Sequence, residues 1–178
     1  MFRALAALAV ASVSAHPTPT LTSSIPWWER VTVTVTDDGN TKSCRYESSL
    51  KPQNARACDV VGGGASAAKS AASGAKDQYT RITFERRFSP GAKPNMDALQ
   101  PGETLLGGQM LALAIDGKGA VKDCRVVQRS GTMPPQYGCD EAATEKFEAR
   151  ATATAHAAAA THEGYMTVLV YGHSEHVV

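Results

Sequence analysis

Val31-Thr32-Val33-Thr34-Val35 and Leu111-Ala112-Leu113-Ala114-Ile115 read as one strand written twice. In both, larger residues alternate with smaller ones at period two, the mark of a β-strand with one buried face. The large residues coincide at an offset of 80, from Val31 to Leu111. A turn follows each run: Asp37-Asp38-Gly39-Asn40 in the first, Asp116-Gly117-Lys118-Gly119 in the second. Each turn leads into Lys-x-Cys-Arg, as Lys42-Ser43-Cys44-Arg45 and Lys122-Asp123-Cys124-Arg125, still at an offset of 80. Cys58-Asp59 and Cys139-Asp140 follow at 81. Beyond an Ala-rich stretch, new alternating segments open at Tyr79 and Tyr165 and set Ile82 and Phe84 opposite Val168 and Val170.

The pattern predicts an α+β fold of two tandem β-β-α-β units, each a small antiparallel sheet covered by one helix. Residues 26–89 form the first unit and 103–176 the second. Residues 90–102, with three prolines and two glycines, connect them. In the second unit Asp140 is the expected N-cap, and Ala143 and Phe147 lie four apart on the buried side of the helix. The matching helix of the first unit, residues 62–75, contains Gly62, Gly63, Gly64 and Gly74. Each interior glycine costs about 1 kcal/mol, so that helix is expected to be short. Residues 151–160 favour helix by propensity but offer almost nothing large to dock, and read as a frayed extension.

The chain has 178 residues, a mass of 18.7 kDa and a formal charge of +1. Its 43% hydrophobic content includes 29 alanines, each burying little area, and aromatics are only 6%. Such a core calls for covalent reinforcement. Residues 1–15 read as a signal peptide: Arg3 gives a positive start, residues 4–13 form an apolar run, and Val13-Ser14-Ala15 is a small-x-small cleavage pattern. A run of ten residues, all apolar but Ser12, is too short to span a bilayer, which needs roughly 20, so no membrane span is expected after cleavage. Losing Arg3 leaves 17 basic residues against 17 acidic ones. A balanced surface argues against nucleic acid or anionic membrane as the main partner.

Export to the periplasm or beyond favours disulfides. Of the three possible pairings of four cysteines, the repeat favours Cys44 with Cys58 and Cys124 with Cys139. Closing loops of 14 and 15 residues contributes on the order of 3 kcal/mol each. The sequence has no Cys-x-x-Cys pair, which argues against a zinc or redox site.

Residues 103–172 resemble the C-terminal domain of the TonB energy-transducer family. The resemblance rests on the strand 111–115, the Asp116-Gly117 turn, a second strand ending in Ser130-Gly131, then Asp140-Glu141-Ala142-Ala143 with Phe147, and a closing strand at 165–171. It implies a periplasmic domain that binds a protein or peptide, with an outer-membrane protein as the partner the family points to, by adding a strand to a sheet edge. On that resemblance the receiving edge is the strand 165–171; the alternative reading is that this strand pairs with the first unit's sheet. Tyr165, Thr167, Leu169 and Tyr171 point outward there, and Met166, Val168 and Val170 face the helix. The family's membrane helix and Pro-rich spacer have no counterpart in the sequence, so the expected role is transport-related partner binding without energy transduction.

The chemistry otherwise available is sparse. Ser66/Lys69 and Ser73/Lys76 have the Ser-x-x-Lys spacing of penicillin-recognising enzymes, without the accompanying motifs, so a small exported hydrolase is a secondary expectation. His173 and His176, with His162, could chelate a metal. Trp27-Trp28 could stack on a ligand, and Phe84-Glu85-Arg86-Arg87-Phe88 is too short for a nucleic-acid surface. The expectation is a non-catalytic protein without cofactor.

Overall fold

The computed structural model describes residues 20–36, 41–50, 81–96, 99–149 and 160–173. Among these residues the chain forms β1 (Thr20–Leu21), β2 (Trp27–Val35), β3 (Thr41–Ser48), β4 (Arg81–Pro90), β5 (Glu103–Ile115), β6 (Val121–Gly131), α1 (Cys139–Thr144), β7 (Lys146–Phe147) and β8 (His162–His173). Six strands make one sheet in the order β3-β2-β4-β8-β5-β6, with every neighbouring pair antiparallel. β1 and β7 form a short parallel pair.

This corrects the expected α+β architecture. The structure is mostly β: the strands of both units merge into one continuous sheet, and α1 has only six residues. A helix that short does not persist on its own. Gly138, rather than Asp140, is its N-cap, and the Glu141 carboxylate accepts the Gly138 N–H at 2.8 Å. The helix ends at Thr144, so Phe147 leaves it and pairs in β7 with Leu21. Phe147 is buried all the same, but Ala142, rather than Ala143, is the helix's inward residue. The predicted signal peptide 1–15, the first-unit helix 62–75 and most of the alanine run 151–160 lie outside the described residues.

The repeat survives in the strand pairing. Val31↔Tyr46, Val33↔Cys44 and Val35↔Thr41 in the first hairpin become Leu111↔Val126, Leu113↔Cys124 and Ile115↔Val121 in the second, an offset of 80 throughout. Both hairpins carry a register shift at the lysine of Lys-x-Cys-Arg, where Lys42 and Lys122 are the extra residues. The closing strands match at a different offset from the one expected. Val31↔Phe84 corresponds to Leu111↔Met166 and Glu29↔Arg86 to Gln109↔Val168, so Phe84 corresponds to Met166 rather than Val170. The offset is 82, and because it is even, the inward parity predicted from the alternation is preserved.

The two halves meet where β4 pairs with β8, Phe84 opposite Val170 and Phe88 opposite Met166. The pair Arg86↔Val168 joins a residue to its own repeat equivalent, so the pseudo-twofold axis relating the halves passes through it.

Side chains of one parity build the main core. Val31, Val33, Ile82, Phe84 and Val170 form one cluster, and Trp27, Phe88, Leu111, Leu113, Phe147 and Met166 form a second. Trp27 stacks on Phe88 at 5.8 Å, and Phe88 meets Phe147 at 5.3 Å. The Asp116-Gly117-Lys118-Gly119 turn holds this edge of the core. Gly119 adopts φ +83°, and its carbonyl accepts the Phe147 N–H at 2.9 Å. The opposite face is also covered: Met96, in the Pro/Gly-rich connection, is buried with Met110, Leu169 and Tyr171.

Candidate functional site

The alternation in β2 puts Glu29 on the same inward face as Trp27, Val31 and Val33, and that in β4 puts Arg86 inward between Phe84 and Phe88. These two charges are directly opposite in the ladder. The Arg86 side chain is 5% exposed and Glu29 3%. Arg86 Nε donates to Glu29 Oε1 at 2.5 Å, and Nη2 also pairs with it. Nη1 donates to Glu145 Oε1 at 2.6 Å, just past the end of α1. Tyr46 Oη donates to Glu29 at 3.0 Å, and Tyr137 Oη to Glu145 at 3.4 Å. The guanidinium lies 4.7 Å from the Tyr137 ring centroid and 5.8 Å from that of Trp27.

Burial works to strip the proton from Arg86. Glu29, Tyr137 and Glu145 more than offset it, so the guanidinium holds its proton more tightly than an ordinary arginine. Burial pushes the Tyr137 phenol up, Arg86 opposes this, and Glu145 adds to it. The network ties β2, β3 and β4 of the first half to the segment around α1 of the second. Its polar groups are directed at one another, which suits a structural hub.

On the other face, Glu85 is buried, accepts from Tyr171 Oη at 2.7 Å and pairs with Arg87. Burial, then the bond to Glu85, raises the Tyr171 phenol above its ordinary value.

The predicted receiving edge is not an edge. β8 pairs along its length with β4 on one side and β5 on the other, so its backbone has no side open to a further strand. Thr167, Leu169 and Tyr171 are buried, and Tyr165 is half-buried against the cluster of Met96, Met110, Leu169 and Tyr171. The outer strands of the sheet are β3 and β6. β6 (Val121–Gly131) bears Lys122, Arg125 and Arg129 against Asp123, and Val126, 38% exposed, is one of two exposed large hydrophobic residues among those described. A bulge between Met110 and Leu111 leaves Val127 as the extra residue in β6.

Cys124 and Cys139 form the predicted disulfide, linking β6 to the first residue of α1. Cys44 lies in β3 and is disulfide-bonded, while its expected partner Cys58 lies outside the described residues. His162 and His173 occupy opposite ends of β8, eleven strand steps or about 36 Å apart, and cannot share a metal. Among the described residues, no three His, Cys, Asp or Glu side chains are placed to hold a metal ion. His176 and both Ser-x-x-Lys motifs lie outside the described residues. Trp27 is a core residue, whose Nε1 donates to the Thr22 carbonyl at 2.7 Å, and Trp28 lies 4.5 Å from the Arg30 guanidinium. No described helix is long and apolar enough to cross a membrane.

The comparisons with protein-family models, curated proteins and solved structures return no match to this chain.

Proposed function

We propose that this chain is an exported, non-catalytic protein-interaction module, similar in its second half to TonB C-terminal domains, that takes an extended segment of a partner protein along β6. The observation that carries this reading is an eleven-residue strand at the end of the sheet with an exposed valine at its centre. A strand laid beside it gains main-chain hydrogen bonds, and alternate side chains set its register. Lys122 is paired with Asp116, and Arg125 and Arg129 still outnumber Asp123 on the strand, which favours an acidic segment. The same charges and the bulge discourage indiscriminate edge pairing, so the partner has to match. The Cys124–Cys139 disulfide and the leader-like start of the sequence support export.

The test is residue-level hydrogen exchange on the mature chain, with and without a partner recovered from a periplasmic extract. Slowed exchange confined to β6, with β3 unchanged, is the expected footprint. The paired substitution Arg125→Glu with Val126→Asp is expected to weaken binding at least about tenfold. A footprint elsewhere, with binding indifferent to that pair, would overturn the proposal.

A further inference from the structure

We infer that Arg86, lying on the pseudo-twofold axis, dictates which strands may pair at the seam: it favours β4 with β8 and works against pairing of either strand with its own counterpart in a second copy of the chain.

The two halves have the same strand order and nearly the same register, so each closing strand is a candidate partner for three others: its mate in the chain, or either closing strand of another molecule. In the observed seam, the numbers of paired residues add to 254, as in Arg86↔Val168. Applying the repeat offset of 82 predicts the homotypic alternatives. Two β4 strands pair about Arg86 itself, which sets two guanidinium groups directly opposite on one face, with Cβ atoms about 5 Å apart. Two β8 strands pair about Val168, which gives Glu145 and Tyr137 no cation. At the other positions nothing opposes the matched pairs: on the other face Glu85 would meet the second copy's Arg87, an ion pair that favours two β4 strands together, so the opposition rests on Arg86. Phe84 and Phe88 become mutual partners in the first case, and Met166 and Val170 in the second, and both are acceptable apolar pairs.

The chemistry around the axis fits this role. Glu29 belongs to the first half and Glu145 to the second, and among the described residues Arg86 alone bridges them. The repeat equivalents of Glu29 and Arg86 are Gln109 and Val168, so the second half lacks both charges of the pair. Gln109 instead donates to the Tyr137 carbonyl. One cation on one strand of a nearly symmetric seam is the arrangement that admits the mixed pair and penalises both matched pairs.

The experiment uses the mature full-length chain, refolded over a range of concentrations and followed by light scattering. The variants are Arg86→Lys, Arg86→Met, and Arg86→Met combined with Glu29→Gln and Glu145→Gln. The triple variant leaves no buried carboxylate uncompensated, so it keeps the test open where Arg86→Met alone does not fold. The triple variant is expected to raise the dimer fraction roughly tenfold or more over wild type, while Arg86→Lys, which keeps the cation, stays monomeric. Isotope-filtered NMR on a mixed-label sample of the dimer should show Val168 of one copy against Val168 of the other. Exchange of whole halves, by contrast, preserves Arg86 beside Val168. A folded triple variant as monomeric as wild type, a dimer without that Val168 contact, or an Arg86→Lys variant that dimerises as readily as the triple would each overturn the inference.

Discussion

Replacing Arg86 by methionine tests whether the buried network is held by charge or by shape. Methionine retains much of the contact with Trp27 and Tyr137 but leaves Glu29, 3% exposed, and Glu145, 15% exposed, without their cation. Breaking a buried pair from one side costs about 3–5 kcal/mol, because the desolvation of the surviving carboxylates is no longer offset. That is a large share of the 5–15 kcal/mol by which a domain is typically stable. Converting Glu29 and Glu145 to glutamine in the same chain removes the stranded charges, and the triple variant is expected within about 1.5 kcal/mol of wild type. The substitutions are therefore strongly non-additive. Urea unfolding followed by tryptophan fluorescence measures both, since Trp27 lies beside the guanidinium. An Arg86→Met cost below about 1 kcal/mol, or a triple variant no more stable than Arg86→Met, would refute the reasoning.

Phe147→Ala should cost about 3–5 kcal/mol, because Phe147 is 1% exposed and packs on Phe88; denaturant midpoints measure it, and a loss under about 1 kcal/mol contradicts the packing. Removing the Cys124–Cys139 bond by a paired Cys→Ala change should lower stability by about 3 kcal/mol from the entropy of its 15-residue loop, read in the same assay. Tyr137 and Tyr171 keep their protons above the ordinary phenol value of 10.0. The unfolded chain releases those protons near 10 while the native one retains them, so stability is intact below that pH and falls as the pH climbs toward the native values. Ultraviolet titration of phenolate in native and urea-unfolded protein should show the two tyrosines ionising late only in the native chain, and a single common transition near 10 in both would contradict this.

Much of the sheet was legible in the sequence. The alternations at Val31 and Leu111 and the twin Lys-x-Cys-Arg motifs fixed two hairpins with matched registers, and period two placed Met166, Val168 and Val170 on one face. The burial of β8 on both faces was also legible: Tyr165, Leu169 and Tyr171 are as bulky as the residues between them, and a strand apolar on both faces is one covered on both. The resemblance pointed the other way, because its pattern carries no information about a second unit beside it. The helical spacing of Ala143 and Phe147 predicts a longer helix than the six residues of α1. Local spacing cannot register that Glu145 is drawn to Arg86, or that Lys146 and Phe147 pair with β1. Glu29 and Arg86 were findable: each is a charge at an inward position of an otherwise apolar alternation, and two such positions in paired strands mark a buried ion pair.

The seam between β4 and β8 also governs how the molecule comes apart. Each half contributes its innermost strand to that boundary, and Phe88 of the first half is packed against Phe147 of the second. Melting either half alone would open a ten-pair ladder and expose aromatic surface on the survivor. Heat should therefore unfold the described sheet in one cooperative step, leaving no half-structured species for a protease to seize.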